Sequence, residues 1–145
     1  MRFLPPVGWD NTAFGGRRTP AINPCPGAGA AGAVPGLREV LKFLVVLYRR
    51  PDLSREQFQE TLRGDHAALA GRLPGLRRYV QNHLERDPNR KHPGWDAVIE
   101  LYWDDWPGME AAWASPEGKL ATDHLAEFAD LSRSTWAVVQ EEVRR

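Results

Sequence analysis

Residues Leu41–Gly75 read LKFLVVLYRRPDLSREQFQETLRGDHAALAGRLPG, and the fold is decided there. Phe43 to Tyr48 is apolar on both alternations, which fits a strand covered on both faces. Arg49, Arg50 and Pro51 end it. Ser54 followed three residues later by Gln57 has the spacing of a capping box, in which the hydroxyl accepts from a free backbone N–H and the amide reaches back. Apolar residues at Phe58, Leu62, Leu69 and Leu73 then give a helix one greasy face, and Leu73-Pro74-Gly75 stops it. His66 lies four residues after Leu62 and three before Leu69, on that greasy face. Buried there, it is either a core histidine bonded to a backbone carbonyl or a proton-transfer group, since imidazole titrates near neutrality.

Outward from this stretch the chain continues in alternating patterns. Leu76–Arg86 sets Val80 and Leu84 on one face and Tyr79, Gln81 and His83 on the other, the pattern of a strand. The polar face suits a wet barrel interior or a polar interface, with His83 a candidate ligand contact. Asp87–Gly94 holds two prolines and reads as a hairpin loop. Trp95–Trp103 is a third strand, with Glu100 sharing a face with Val98 and Tyr102. Asp104-Asp105 offers a cap for a short helix with Trp106, Met109 and Trp113 on one face. Ser115-Pro116-Glu117 starts another, with Leu120, Leu125 and Phe128 inward. Thr135–Val143 is the last strand.

The order is βαββαβ, an α+β ferredoxin-like sandwich whose antiparallel sheet carries helices on one face. Every strand carries apolar or aromatic groups on both alternations, so the second face is too greasy to stand in water. A homodimer that closes two sheets face to face into a dimeric α+β barrel answers this. It would leave a small-molecule pocket between sheet and helices or inside the barrel.

Residues 1–36 differ from the rest. They hold six of the twelve prolines and seven of the thirteen glycines, and Cys25–Gly36 is nearly low-complexity. Such a segment buries too little apolar surface to offset its ordering entropy. It reads as a disordered or loosely draped extension, or as upstream sequence from a misassigned start. Residues 37–145 form the folded domain.

Charge balances at nineteen basic and nineteen acidic residues, so no global field attracts nucleic acid. No apolar run suits a membrane span or a secretory leader, and the single cysteine, Cys25, forms no intrachain disulfide. These features point to a cytoplasmic protein with neither nucleic-acid nor membrane partners. The four histidines lack metal-site spacing, no glycine-rich phosphate loop follows the first strand, and no nucleophile elbow is present.

YRRPDLSREQF (48–58), DHAALAGRLPGLRRYVQN (65–82), IELYWDD (99–105), ASPEG (114–118) and DLSRSTW (130–136) together resemble the EthD family of dimeric α+β-barrel proteins. The resemblance covers about Leu41 to Val143. It implies a homodimer and no required metal or organic cofactor. It also implies an association with an oxidoreductase system, since the namesake accompanies a monooxygenase in ether degradation. Under it, the family histidine carries over to His66 and the strand acid to Glu100.

The site candidates are therefore His66 and Glu100 as catalytic residues, with Tyr48, Tyr79, His83 and Tyr102 as substrate contacts and no metal. A buried Glu100 would have a raised pKa suited to acid or base work, or it could be a structural ion pair. Three functions fit. The first is a cofactor-independent cyclase, isomerase or dehydratase acting on a hydrophobic oxygenated metabolite, with Glu100 as partner to His66. The second is a non-catalytic ligand-binding accessory of an oxygenase pathway. The third is an oxidoreductase.

Overall fold

The apolar run after Val40 forms β1 (Leu41–Leu47) at the centre of the sheet. The computed structural model describes residues 40–145. The segment 1–36, read above as a disordered extension, lies outside the described residues, as do residues 37–39. Helix α1 (Arg55–Thr61) starts on the expected capping box. The Gln57 N–H donates to Ser54 Oγ at 3.1 Å and the Ser54 N–H to Gln57 Oε1 at 2.9 Å. The helix then widens. Leu62–His66 is a π-helical turn, and α2 (Ala67–Ala70) resumes the α form before the chain stops at Gly71.

Strands β2 (Arg78–His83) and β3 (Ala97–Trp103) follow, then α3 (Trp106–Ala114), α4 (Pro116–Phe128) and β4 (Thr135–Val139). Asp105 and Ser115 cap α3 and α4 as their positions imply, each accepting from the backbone N–H three residues on. All pairings are antiparallel in the order β2-β3-β1-β4, the ferredoxin-like arrangement. The strands are shorter than the alternating patterns: β4 ends at Val139, not Val143.

Helices cover one face of the sheet. Phe43, Val45 and Leu47 of β1 and Ala97, Ile99, Leu101 and Trp103 of β3 are buried against Phe58, Leu62, Met109, Ala112, Leu125 and Phe128. The turn after α2 docks on this core. Gly75 takes φ +71°, where side chains are strained, and the Trp103 indole N–H donates to the Pro74 carbonyl at 3.0 Å. One inward assignment is corrected: Leu120 is 57% exposed, because α4 presents other residues to the sheet.

The second sheet face carries Leu44, Val46, Val80, Val98 and Val139, each half-buried in the single chain. On β2 the faces are the reverse of what polarity suggests. Val80 lies on the helix-free face, while the polar set Tyr79, Gln81 and His83 points at the helices.

Candidate active site

The π-helical turn places His66 at the end of a widened coil, pointing into the layer between helices and sheet. π-turns recur at functional sites because they redirect a side chain without ending the helix. His66 is 8% exposed. Its Nδ1 lies 3.2 Å from Nδ1 of His124 on α4, and the two rings run nearly parallel, 11° apart with centroids 5.4 Å apart. Phe128 sets its ring against both, 5.1 Å from His66 and 5.4 Å from His124. Burial lowers the His66 pKa from 6.5 to about 4, and the neighbouring His124 adds to the shift. The imidazole is therefore neutral at physiological pH. No described residue hydrogen-bonds its Nε2.

This neutrality is a stability term with a definite sign. A base whose folded pKa lies below its unfolded value binds fewer protons in the native state, so stability rises with pH across the gap. Between the unfolded 6.5 and the folded value of about 4, acidification is expected to remove between about 2 and 3 kcal/mol through His66. Denaturant melts of wild type and His66→Gln over this range check it; the variant should lose correspondingly less.

His66 lines a cavity of about 30 Å³ with Val45, Leu47, Ala70, Tyr79, Ile99, Leu101, Trp113, Ala121, Thr122 and Leu125. That is room for a water or two, since a bound water needs roughly 10–15 Å³. Apart from the indole of Trp113, the lining is apolar except for three groups. Thr122 Oγ1 is satisfied by donating to the Gly118 carbonyl at 2.7 Å. His66 is one of the other two. Tyr79 is the last: its hydroxyl oxygen accepts from Gln81 Nε2 at 2.7 Å, which leaves the O–H to donate elsewhere. Burial raises the Tyr79 pKa, with the Gln81 bond opposing, so the phenol keeps its proton. Gln81 also donates to the Leu62 carbonyl of the π-turn at 2.7 Å, which ties β2 to the segment that aims His66.

His83 stands further along the same face of β2. Its Nε2 meets Gln81 Oε1 at 3.0 Å, and its Nδ1 is buried without a hydrogen-bond partner among the described residues. Burial lowers its pKa, Arg63 adds to this and Glu85 opposes it. His83 does not line the cavity and reaches it only through Gln81.

Glu100 and Tyr102 lie across the sheet from His66. Glu100 is paired with Leu44 and Val80, on the helix-free face, where it forms an ion pair with Lys42 and accepts from Asn82 Nδ2 at 3.3 Å. Lys42 also binds Glu141 at 2.8 Å, and the Tyr102 hydroxyl donates to the same carboxylate oxygen at 3.0 Å. The expected partnership of His66 with Glu100 is thus corrected for the single chain: the sheet separates them. So is the idea that burial raises the Glu100 pKa. The hydrogen bond from Lys42 holds its carboxyl below the usual range, against an opposing effect of burial. Burial on its own would lower the Lys42 pKa, but its bonds to Glu100, Glu141 and Tyr102 leave it raised.

Tyr48 is remote from the cavity, just past β1. Its ring lies under the Arg133 guanidinium, 4.5 Å from the centroid. Of the six candidate residues, then, His66 and Tyr79 share one cavity.

The Lys42–Glu100 pair predicts a mutant-cycle result. Lys42 is 8% exposed, and Lys42→Met would leave Glu100 half-buried without its cation. The expected cost is about 1–2 kcal/mol, and Lys42→Met with Glu100→Leu should recover it, because an apolar pair can replace a buried ion pair. Chemical denaturation of the two single variants and the double variant is the measurement.

His124 and Gln81 complete the arrangement. Gln81 belongs to the polar alternation of β2. His124 falls on the inner side of α4, three residues after Ala121 and four before Phe128, and that spacing is the signal that could have found it. Among the described residues no group of three or more His, Cys, Asp or Glu side chains is placed to hold a metal ion, and no helix is long and apolar enough to cross a membrane.

Comparison with known proteins now adds to this geometry. Residues 50–132 match the family model described as the EthD domain. A structure of an ethyl tert-butyl ether D (EthD) family protein from Bacillus halodurans is similar at 25% identity and TM-score 0.61, covering 71% of this chain and 99% of that one. A dimeric protein of unknown function and ferredoxin-like fold from Bacteroides fragilis matches at 19% identity and TM-score 0.51, over 72% of this chain and 97% of that one. SnoaB, a cofactor-independent oxygenase from Streptomyces nogalater, matches at 18% identity and TM-score 0.51, over 74% of this chain and 95% of its own. The latter two likenesses show the fold. A search of curated proteins finds no match. With the domain model spanning more than half of its length, the chain belongs to the EthD family.

Proposed function

We infer that this protein is a cofactor-independent small-molecule enzyme in which His66 is a general base toward a hydrophobic oxygenated metabolite. One observation carries the reading: a neutral, buried imidazole whose Nε2 lacks a protein partner and which lines an apolar cavity. A base kept neutral by its surroundings is ready to take a proton from an acidic C–H or a phenol. Tyr79 lines the same cavity, and its O–H, free to donate, would stabilise the oxygen that gains charge as the proton leaves. The oxygenase activity stated for SnoaB is consistent with such a site, because a deprotonated phenol or enolate is the electron-rich form of an organic substrate.

The small cavity favours a second reading in one respect. At about 30 Å³ it admits a metabolite only if the helices part from the sheet, as in a ligand-binding accessory protein that opens to its cargo. The working form under either reading is a homodimer closed across the helix-free sheet face, as the dimeric state of the Bacteroides fragilis and Thermobifida fusca relatives supports. The Lys42–Glu100 cluster would then lie between subunits. Light scattering should give the mass of two chains at micromolar concentration; a well-folded monomer would contradict the closed barrel.

The deciding experiment is deuterium wash-in without oxygen. Fused-ring phenols and cyclic β-diketones are incubated with protein in D2O under argon, and binding is followed separately by quenching of tryptophan emission, since Trp113 lines the cavity. Wash-in that disappears in His66→Gln supports the base. Quenching with no catalysed wash-in supports the accessory protein.

A further inference from the structure

We propose that His66 and His124 form a two-imidazole proton relay linking the cavity to the solvent edge of α4 at Glu127. The proposal rests on His66 being the base, and it assigns His124 and Glu127 roles of their own.

The contact between the rings is Nδ1 to Nδ1 at 3.2 Å. For it to be a hydrogen bond, one nitrogen must carry the proton and the other must not. Two arrangements are available, and the surroundings choose between them. His124 Nε2 lies 3.7 Å from Glu127 Oε2, close enough for a carboxylate to favour a proton on that nitrogen. With its single proton on Nε2, His124 presents a bare Nδ1, so His66 must donate from its own Nδ1. Its proton is then spoken for, and its lone pair sits on Nε2, the nitrogen without a protein partner. The opposite arrangement is disfavoured, because it turns a lone pair of His124 toward a carboxylate and leaves the His66 Nε2–H to water alone.

Exposure rises along the same line. His66 is 8% exposed, the His124 side chain 17%, and the Glu127 side chain 73%. Phe128 sits against both rings. A proton taken at His66 Nε2 would place a cation in an apolar shell, which is costly unless the charge moves on. The relay moves it. His66 Nε2 accepts the substrate proton and His66 Nδ1 passes its own to His124 Nδ1. His124 Nε2 then releases its proton to Glu127 or water. One proton enters at the cavity and one leaves at the surface, with no change in oxidation state. Run backward from water, the same steps deliver a solvent proton to the product and restore both rings. Exchange of a substrate hydrogen with solvent therefore requires no water inside the cavity. His124 acts through His66 and is a positioning and proton-carrying residue, not one that touches the substrate.

The test reads the protons directly. In the full-length protein with nitrogen-15 histidine, long-range proton–nitrogen correlation at neutral pH should show His66 protonated on Nδ1 and His124 on Nε2. Glu127→Gln, at an exposed position, should shift part of the pair to the opposite arrangement. In His124→Phe, which fills the same space, His66 should lose its fixed Nδ1 proton, and deuterium wash-in should slow by about tenfold or more while tryptophan quenching persists. A wild-type His66 protonated on Nε2, or equal wash-in by His124→Phe, would overturn the relay and leave His66 as a base. Wash-in absent from the wild type itself would overturn the base, and the relay with it.

Discussion

Replacing His66 with glutamine is expected to slow catalysed deuterium wash-in by about 10²–10⁴-fold, the usual contribution of a placed general base. Glutamine is the informative choice because its amide can still donate toward His124 Nδ1 and fills most of the imidazole volume. The loss is then one of proton-accepting power, not of packing. The His66 shift to about 4 implies a further signature. Wild-type rate should hold through the neutral range and fall only as the pH approaches that low value. A rate that halves near 6.5 would mean that the base is not the buried imidazole. Thermal melts of the variant separate chemistry from folding: at neutral pH it should stay folded, while an inactive and unfolded variant would say nothing about the base. The comparison is therefore made at a temperature where both proteins are native.

Gly118→Ala is expected to destabilise the fold by about 3 kcal/mol or more, the upper end of overpacking costs, because the obstruction is backbone. A Cβ at Gly118 would press on the Ala112 carbonyl oxygen and stand 2.6 Å from the Trp113 carbonyl oxygen. Neither atom can swing aside as a side chain would. Gly118 is buried at the start of α4, where its N–H donates to the Ser115 Oγ cap at 3.1 Å. Relief of the clash requires α3 and α4 to separate. Trp113 on α3 and Ala121, Thr122 and Leu125 on α4 line the cavity, and His124 lies on the same helix, so the substitution should also disturb the histidine pair. Urea melts give the stability change, and histidine NMR signals show whether the pair survives in the folded fraction.

The fold was legible where one residue type enforces one local geometry. Ser54 with Gln57, Asp105, and Ser115 with Pro116 each mark a helix start by satisfying or removing a free N–H, and each helix begins there. The order of elements along the chain, βαββαβ, follows from those starts and the short links between them. The site was legible in part. His66 stood out because helical spacing put a polar ring among apolar neighbours. The direction of each sheet face did not, because both alternations of β1 and β3 are apolar and local pattern cannot say which one meets the helices. Glu100 was therefore read as a potential cavity carboxylate, when pairing with Lys42 from the neighbouring strand settles it on the opposite face. On β2 the polar alternation was read as a wet interior or a polar interface, which hid the fact that Tyr79 and Gln81 face the helices. His124 is 58 residues from His66, and nothing in either local sequence encodes their meeting.

The widened turn Leu62–His66 gives the site an unusual sensitivity to chain length. A π-turn holds one residue more than an α-helix needs to cover the same path. Removing Gly64, where an added side-chain carbon would meet nothing within 4 Å, would let the coil relax to ordinary helix. Ala70 and Leu73, beyond the turn, would keep their register on the core, because the residue removed is the one the turn had absorbed. Only the side chains within the turn would be re-aimed, and His66 stands at its end. The extra residue is thus a device for aiming the imidazole, separable from the packing of the helix that carries it.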